Sequence, residues 1–176
     1  MFVQTIHALQ VRPGYRQAWA NAKRRMIKRA VLAGLTGGIT LDLYLWLTTV
    51  LPAHRSMEAL WQYIASTVFG NVAFSSPSYA AAGLAIHFAI SIGWAGGYAY
   101  FAQTQPATNR NWAVAGAAYG IVVYVLMQLI LLGSGHFMPP ATPTAFVNAV
   151  IAHCVFFGIP AAYVVRALTP RQAASA

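Results

Sequence analysis

The stretch YAAAGLAIHFAISIGWAGGYAYF, residues 79–101, decides the fold. It contains no Asp, Glu, Lys or Arg, and a helix of this length, rising about 1.5 Å per residue, is long enough to cross a hydrocarbon core of about 30 Å. Three further stretches, 30–51, 112–132 and 145–168, repeat the pattern. Together the four hold two charged residues, Asp42 in the first and Arg166 in the last turn of the fourth. The expected fold is all-α: a polytopic membrane protein built as a four-transmembrane-helix up-down bundle. A basic N-terminal segment over 1–29 precedes the bundle of 30–168, and a short tail over 169–176 follows it.

The composition agrees and excludes whole classes of function. Of 176 residues, 59% are hydrophobic and 7% are charged, against about 25% charged in an average soluble domain. Asp42 and Glu58 are the only acids, so no carboxylate cluster exists to bind calcium or run paired-carboxylate catalysis. The single Cys154 excludes a disulfide framework and a cysteine zinc site. Ser66, Ser75 and Ser76 stand in no nucleophile-elbow motif. No catalytic machinery is expected.

Charge placement sets the expected orientation. Arg12, Arg16, Lys23, Arg24, Arg25, Lys28 and Arg29 abut the first span, Arg110 lies between the second and third, and Arg166 and Arg171 end the fourth. The other side carries only Arg55. That asymmetry is the positive-inside pattern, with both termini cytoplasmic. The basic run lacks the aromatic interleaving of a nucleic-acid module, so nucleic acid is not an expected partner. Phe2, Val3, Ile6 and Leu9 form a short apolar face before Pro13 and Gly14.

On the external side, Met57, Leu60, Trp61, Ile64 and Val68 recur at helical spacing, with Glu58, Gln62 and Ser66 off the stripe. This pattern predicts a short interfacial helix over about 56–69. The second external loop holds His136 and a Met138–Pro140 turn. Trp61, Tyr63 and Tyr79 on one side, with Tyr98, Tyr100 and Trp112 on the other, fit interfacial belts.

Small residues four apart let helix backbones approach closely in lipid. Each span has such a pair: Gly34 and Gly38, Gly93 and Gly97, Gly116 and Gly120, Gly158 and Ala162. In an up-down arrangement all four fall in the cytoplasmic half. The strongly polar groups of the spans lie in the outer half. At about 1.5 Å per residue, Asp42, His87 and His153 share a level roughly 12–14 Å below the outer interface, with Gln128 somewhat nearer the surface. Isolated polar groups in hydrocarbon are costly, so an intramembrane cluster of Asp42, His87, Gln128 and His153 is expected. Pro160 removes a hydrogen bond to the Phe156 carbonyl and is expected to bend the fourth span below His153.

The pieces IASTVFG at 64–70, GLAIHFAISIGWAGGYAY at 83–100, AGAAYG at 115–120 and IAHCVFFGIPAA at 151–162 resemble the YagU-like group of bacterial inner-membrane proteins. The resemblance spans most of 30–168, and its most specific elements are His87 followed by Ser91, and His153. It implies a four-helix membrane fold and an inner-membrane address, without a reaction. Some relatives carry an acid four before the fourth-span His, where Ala149 stands here beside Asn148, so an acid–His unit would have to draw on Asp42.

The expected function is that of a small integral inner-membrane protein, an accessory or structural subunit or a stress-related membrane protein with a buried Asp/His cluster. No cofactor is expected on that reading. Two alternatives stay open. His87 and His153, with Asp42, are candidate ligands for haem b or a non-haem metal, and the same carboxylate and imidazoles are candidates for a proton relay or proton-coupled transport. The expected partners are the lipid bilayer and a membrane protein or second copy meeting an outward small-residue stripe.

Overall fold

The computed structural model describes residues 14–135 and 140–169. The apolar face of Phe2 to Leu9, Arg12, His136, Met138, Pro139 and Arg171 lie outside the described residues. Within them the chain is helical, without a strand. Helix α1 covers Tyr15–Leu45 and continues as a π-helical turn, Trp46–Val50. The short helices α2 (Met57–Phe69) and a 3₁₀ turn (Gly70–Phe74) lead to α3 (Ser78–Thr104). A one-turn α4 (Pro106–Arg110) connects to α5 (Trp112–Gly133). The last long helix is composite: α6 (Pro143–Ile151), a π-helical stretch (Ala152–Gly158) and α7 (Ile159–Ala167).

Four helices are long and apolar enough to cross a membrane: Tyr15–Val50, Ser78–Thr104, Trp112–Gly133 and Pro143–Ala167. Their large apolar side chains are largely on the outside, with Val114 73% and Leu129 56% exposed, an arrangement that suits lipid and not water. The basic stretch after Gly14 forms the opening turns of α1, which starts at Tyr15 and runs without a break into the first span. Ala, Arg, Lys and Met are strong helix formers, and this run is rich in them.

Residue contacts show where the helices pack. On α1 and α3, Gly34 faces Ile92 and Gly38 faces Phe88 and Ser91. Between α1 and the composite helix, Arg29 Nε donates to the Leu168 carbonyl at 3.2 Å, Gly37 meets Phe157, and Tyr44 hydrogen-bonds Asn148 at 2.6 Å. Arg29, itself buried, thereby satisfies a carbonyl at the negative end of α7. On α5 and the composite helix, Gly116 faces Gly158 and Ala162, and Gly120 faces His153 and Cys154. Thus α1 packs between α3 and the composite helix, and α5 packs on the composite helix's other flank. The sequence neighbours α3 and α5 meet mainly through large side chains: Tyr119 donates to the Trp94 carbonyl at 2.8 Å, and Trp94 Nε1 donates to Met127 Sδ at 3.4 Å.

Small residues permit this approach, and the tightest cases are backbone on backbone. A Cβ on Gly116 would lie 2.6 Å from the Gly158 carbonyl oxygen, and one on Gly120 would lie 2.6 Å from Cys154 Cα. Ordinary contacts of this kind begin near 3.4 Å. Gly34, Gly38, Gly116, Gly120, Gly158 and Ala162 therefore sit at helix contacts. Gly93 does not: it is exposed, with nothing within 4 Å of a built Cβ. The α3 face that packs carries Ser91, Ala95, Tyr98, Ala99 and Ala102 instead, which turns Gly93 away. Gly97 is also exposed, with only the Tyr119 hydroxyl near it at 2.9 Å. Tyr98 corrects the belt reading in the same way, since it is buried against Tyr119.

Helix α2 begins with a Ser56 cap, its side chain accepting from Ala59 N–H, and ends at Gly70, whose φ of 64° suits a residue without a side chain. It packs on α3. The closest point is Gly83, where a Cβ would overlap the Trp61 backbone. The buried face of α2 thus centres on Ala65 and Ser66, while Val68, expected on the apolar stripe, is 64% exposed. Close backbone approach selects small residues over the bulky stripe.

Candidate functional site

The polar centre forms where α1, α2 and α3 meet, away from the basic end. Asp42 follows Gly34 and Gly38 along the α1 face that contacts α3, and His87 stands beside Phe88, which packs on Gly38. The two side chains meet, with His87 Nε2 3.3 Å from Asp42 Oδ1 and side-chain exposures of 12% and 13%. This is ion-pair distance, yet neither atom makes a hydrogen bond, because the imidazole nitrogen is not aimed at the oxygen. Asp42 Oδ1, His87 Nε2 and Trp61 Nε1 are the buried side-chain polar atoms without a hydrogen-bond partner among the described residues. All three belong to this one corner of the protein.

Beside the pair lies an open groove with a volume of about 410 Å³. Asp42 shares its α1 wall with Ile39, Leu43 and Trp46; α2 contributes Met57 and Trp61, and α3 contributes Leu84 and Phe88. Asp42 is the one charged residue in that lining.

Of the expected four-residue cluster, Asp42 and His87 are joined directly. His153 neither hydrogen-bonds nor ion-pairs with Asp42 or His87. Its Nδ1 bonds the Ala149 carbonyl at 2.8 Å, and its ring stacks edge-on with Tyr124 at 5.3 Å. The Ala149 carbonyl, which also accepts from the Ala152 N–H, thus occupies one ring nitrogen of His153 on its own helix. Gln128 makes no side-chain hydrogen bond to the pair among the described residues, and lies on α5, whose main backbone contacts are to the composite helix. His153, though linked to neither Asp42 nor His87 by a hydrogen bond or ion pair, lies close enough to His87 for their charges to interact. Among the described residues no group of three His, Cys, Asp or Glu is placed to hold a metal.

A second polar group stands in the α1–α6 contact. Asn148 accepts from the Tyr44 hydroxyl at 2.6 Å and donates to Thr49 at 3.0 Å and Thr48 at 3.2 Å. Tyr44 also stacks on Phe156 with ring centroids 4.1 Å apart. The signal for this network is the polar run of Tyr44, Thr48 and Thr49, one helical turn apart, opposite the one Asn of the fourth span.

Deeper along the same contact, Pro160 has no N–H for the Phe156 carbonyl, and the chain before it relaxes into the π-helical stretch Ala152–Gly158. The Thr40 hydroxyl of α1 donates to that Phe156 carbonyl. The proline defect is thus closed by a neighbouring helix, as polar side chains do for broken backbone in membranes.

Four helices apolar enough to cross a membrane, with one carboxylate–imidazole pair where α1, α2 and α3 meet, mark the chain as a helical membrane protein. No family model, curated protein or solved structure matches the chain.

Proposed function

We propose that the protein is a non-enzymatic accessory or structural subunit of a bacterial inner membrane, crossing it up-down-up-down with both termini cytoplasmic. The observation that carries this reading is the Asp42–His87 pair between α1 and α3. A carboxylate near the bilayer centre costs about 2.5–3.5 kcal/mol on insertion scales, and an interhelical polar contact returns about 0.6–2 kcal/mol. A pair that returns no more than it costs serves register, by penalising every α1–α3 alignment that separates Asp42 from His87. The basic residues support the orientation: those of α1, with Arg110 and Arg166, lie at one end of the spans, and Arg55 lies at the other. The outward face of α5, with Ile121, Val125 and Leu129 about half exposed, is available to a partner or a second copy. Extraction in native lipid followed by mass measurement should return a stoichiometric complex with another membrane protein or another copy. A lone chain at native expression level would overturn the subunit role.

Proton relay is the second reading, favoured by the position of Asp42 on the wall of an open groove beside His87. The continuous glycine contacts toward the basic end weigh against a through-path. For the haem or metal reading, the Nδ1 contact of His153 with the Ala149 carbonyl leaves Nε2 as the only ring nitrogen for a ligand.

A further inference from the structure

The groove beside Asp42 is built from the chemistry that recognises a positive charge on an apolar body. Its volume of about 410 Å³ falls within the usual range of about 300–1,000 Å³ for small-molecule sites. Its mouth opens sideways, since Ile39, Leu43 and Trp46 on its rim are 55%, 53% and 41% exposed on the lipid-facing side of a membrane span. An occupant that enters across this rim from the bilayer is lipid-soluble. Asp42 is the one acidic residue of the four spans, and its Oδ1 is sealed against His87, leaving Oδ2 as the oxygen available to the groove. Neither Lys nor Arg lines the groove to neutralise it. Trp46, Trp61 and Phe88 supply aromatic surface around the carboxylate, and aromatic faces attract cations most strongly where water is excluded. Trp61 is held in place by the backbone contact of α2 with Gly83, so this wall is preformed.

The geometry points to a lipophilic organic cation, an ammonium or phosphonium on an apolar body, as the occupant of the groove, with Asp42 as its counter-ion and Trp46, Trp61 and Phe88 as its aromatic cage. Anions are repelled by Asp42. Neutral lipids gain nothing from the carboxylate, whose burial beside an apolar groove is otherwise a cost. This inference stands apart from the subunit role, because one chain supplies the whole site.

The test uses the full chain in phosphatidylcholine nanodiscs, with tetraphenylphosphonium as the probe and empty nanodiscs subtracted for partitioning. Equilibrium dialysis should show saturable binding of one cation per chain. Asp42→Asn should weaken it about tenfold or more, and Trp46→Leu about threefold. Triphenylphosphine oxide, neutral and similar in body, should fail to displace the cation at matched concentration. Should Asp42→Asn not fold, Trp46→Leu and Phe88→Leu, at the exposed edge and on the opposite wall, carry the test. Absence of saturable binding, equal binding by Asp42→Asn, displacement by the neutral compound, or unchanged affinity in both wall variants would each overturn the assignment.

Discussion

Replacing Gly120 by Ala adds one methyl group at the closest point between α5 and the composite helix. That Cβ would stand 2.6 Å from Cys154 Cα and 2.7 Å from the His153 carbonyl carbon, and it would overlap the His153 carbonyl oxygen. These atoms are backbone and cannot rotate away, so the helices must separate by about 1 Å to restore ordinary contact. Such overpacking costs about 1–3 kcal/mol, and neighbouring contacts at Gly116 and Gly158 would loosen with it. Gly93→Ala is the internal control, with open space around the added methyl group. It should leave stability unchanged or raise it by up to about 1 kcal/mol through helix propensity. Denaturant-induced unfolding in a mild detergent, followed by tryptophan fluorescence, reads both variants. Wild-type stability in Gly120→Ala, or equal losses in the two variants, would refute the claim that backbone contact at Gly120 joins these helices.

The Thr40–Pro160 relation predicts that Thr40→Val costs about 1 kcal/mol. That cost should shrink in a Pro160→Ala background, where an N–H is restored for Phe156; equal costs in both backgrounds would show the hydroxyl has no such role. Asn148→Leu, which strips partners from Tyr44, Thr48 and Thr49, should destabilise by about 1–2 kcal/mol, and Tyr44→Phe by less, both read by the same unfolding assay. For orientation, cysteines introduced at Ser76 and Ala107 should label from outside and only after permeabilisation, respectively; the reverse pattern would invert the proposed topology.

The spans were legible because hydropathy along the chain suffices to find them. Ser78–Thr104 and Trp112–Gly133 extend the expected 79–101 and 112–132 by a few residues at most. Hydropathy alone hid the first turns of α1, since Arg and Lys lower the average while favouring helix. The site was half legible. Depth, counted at a fixed rise per residue, placed Asp42, His87 and His153 at one level, and the Gly34, Gly38, Asp42 run gave the correct face of α1. Direction around the other helices was the missing quantity. Two glycines four apart mark a face without saying that another helix covers it, so Gly93 was read inward although it is exposed. Nor does the sequence reveal that the His153 Nδ1 meets the Ala149 carbonyl on its own helix. Asn148 was seen only as a neighbour of Ala149, because its partners Tyr44, Thr48 and Thr49 lie about a hundred residues away in the chain.

The pairing of Asp42 with His87, and not with His153, is tested most directly by double-mutant cycles on unfolding free energy in the same detergent. Asp42→Asn with His87→Gln should show a coupling of about 1–2 kcal/mol, and Asp42→Asn with His153→Gln should be additive within about 0.5 kcal/mol. Additivity between Asp42 and His87, or a coupling to His153 as large as that to His87, would contradict the pair at the centre of this fold.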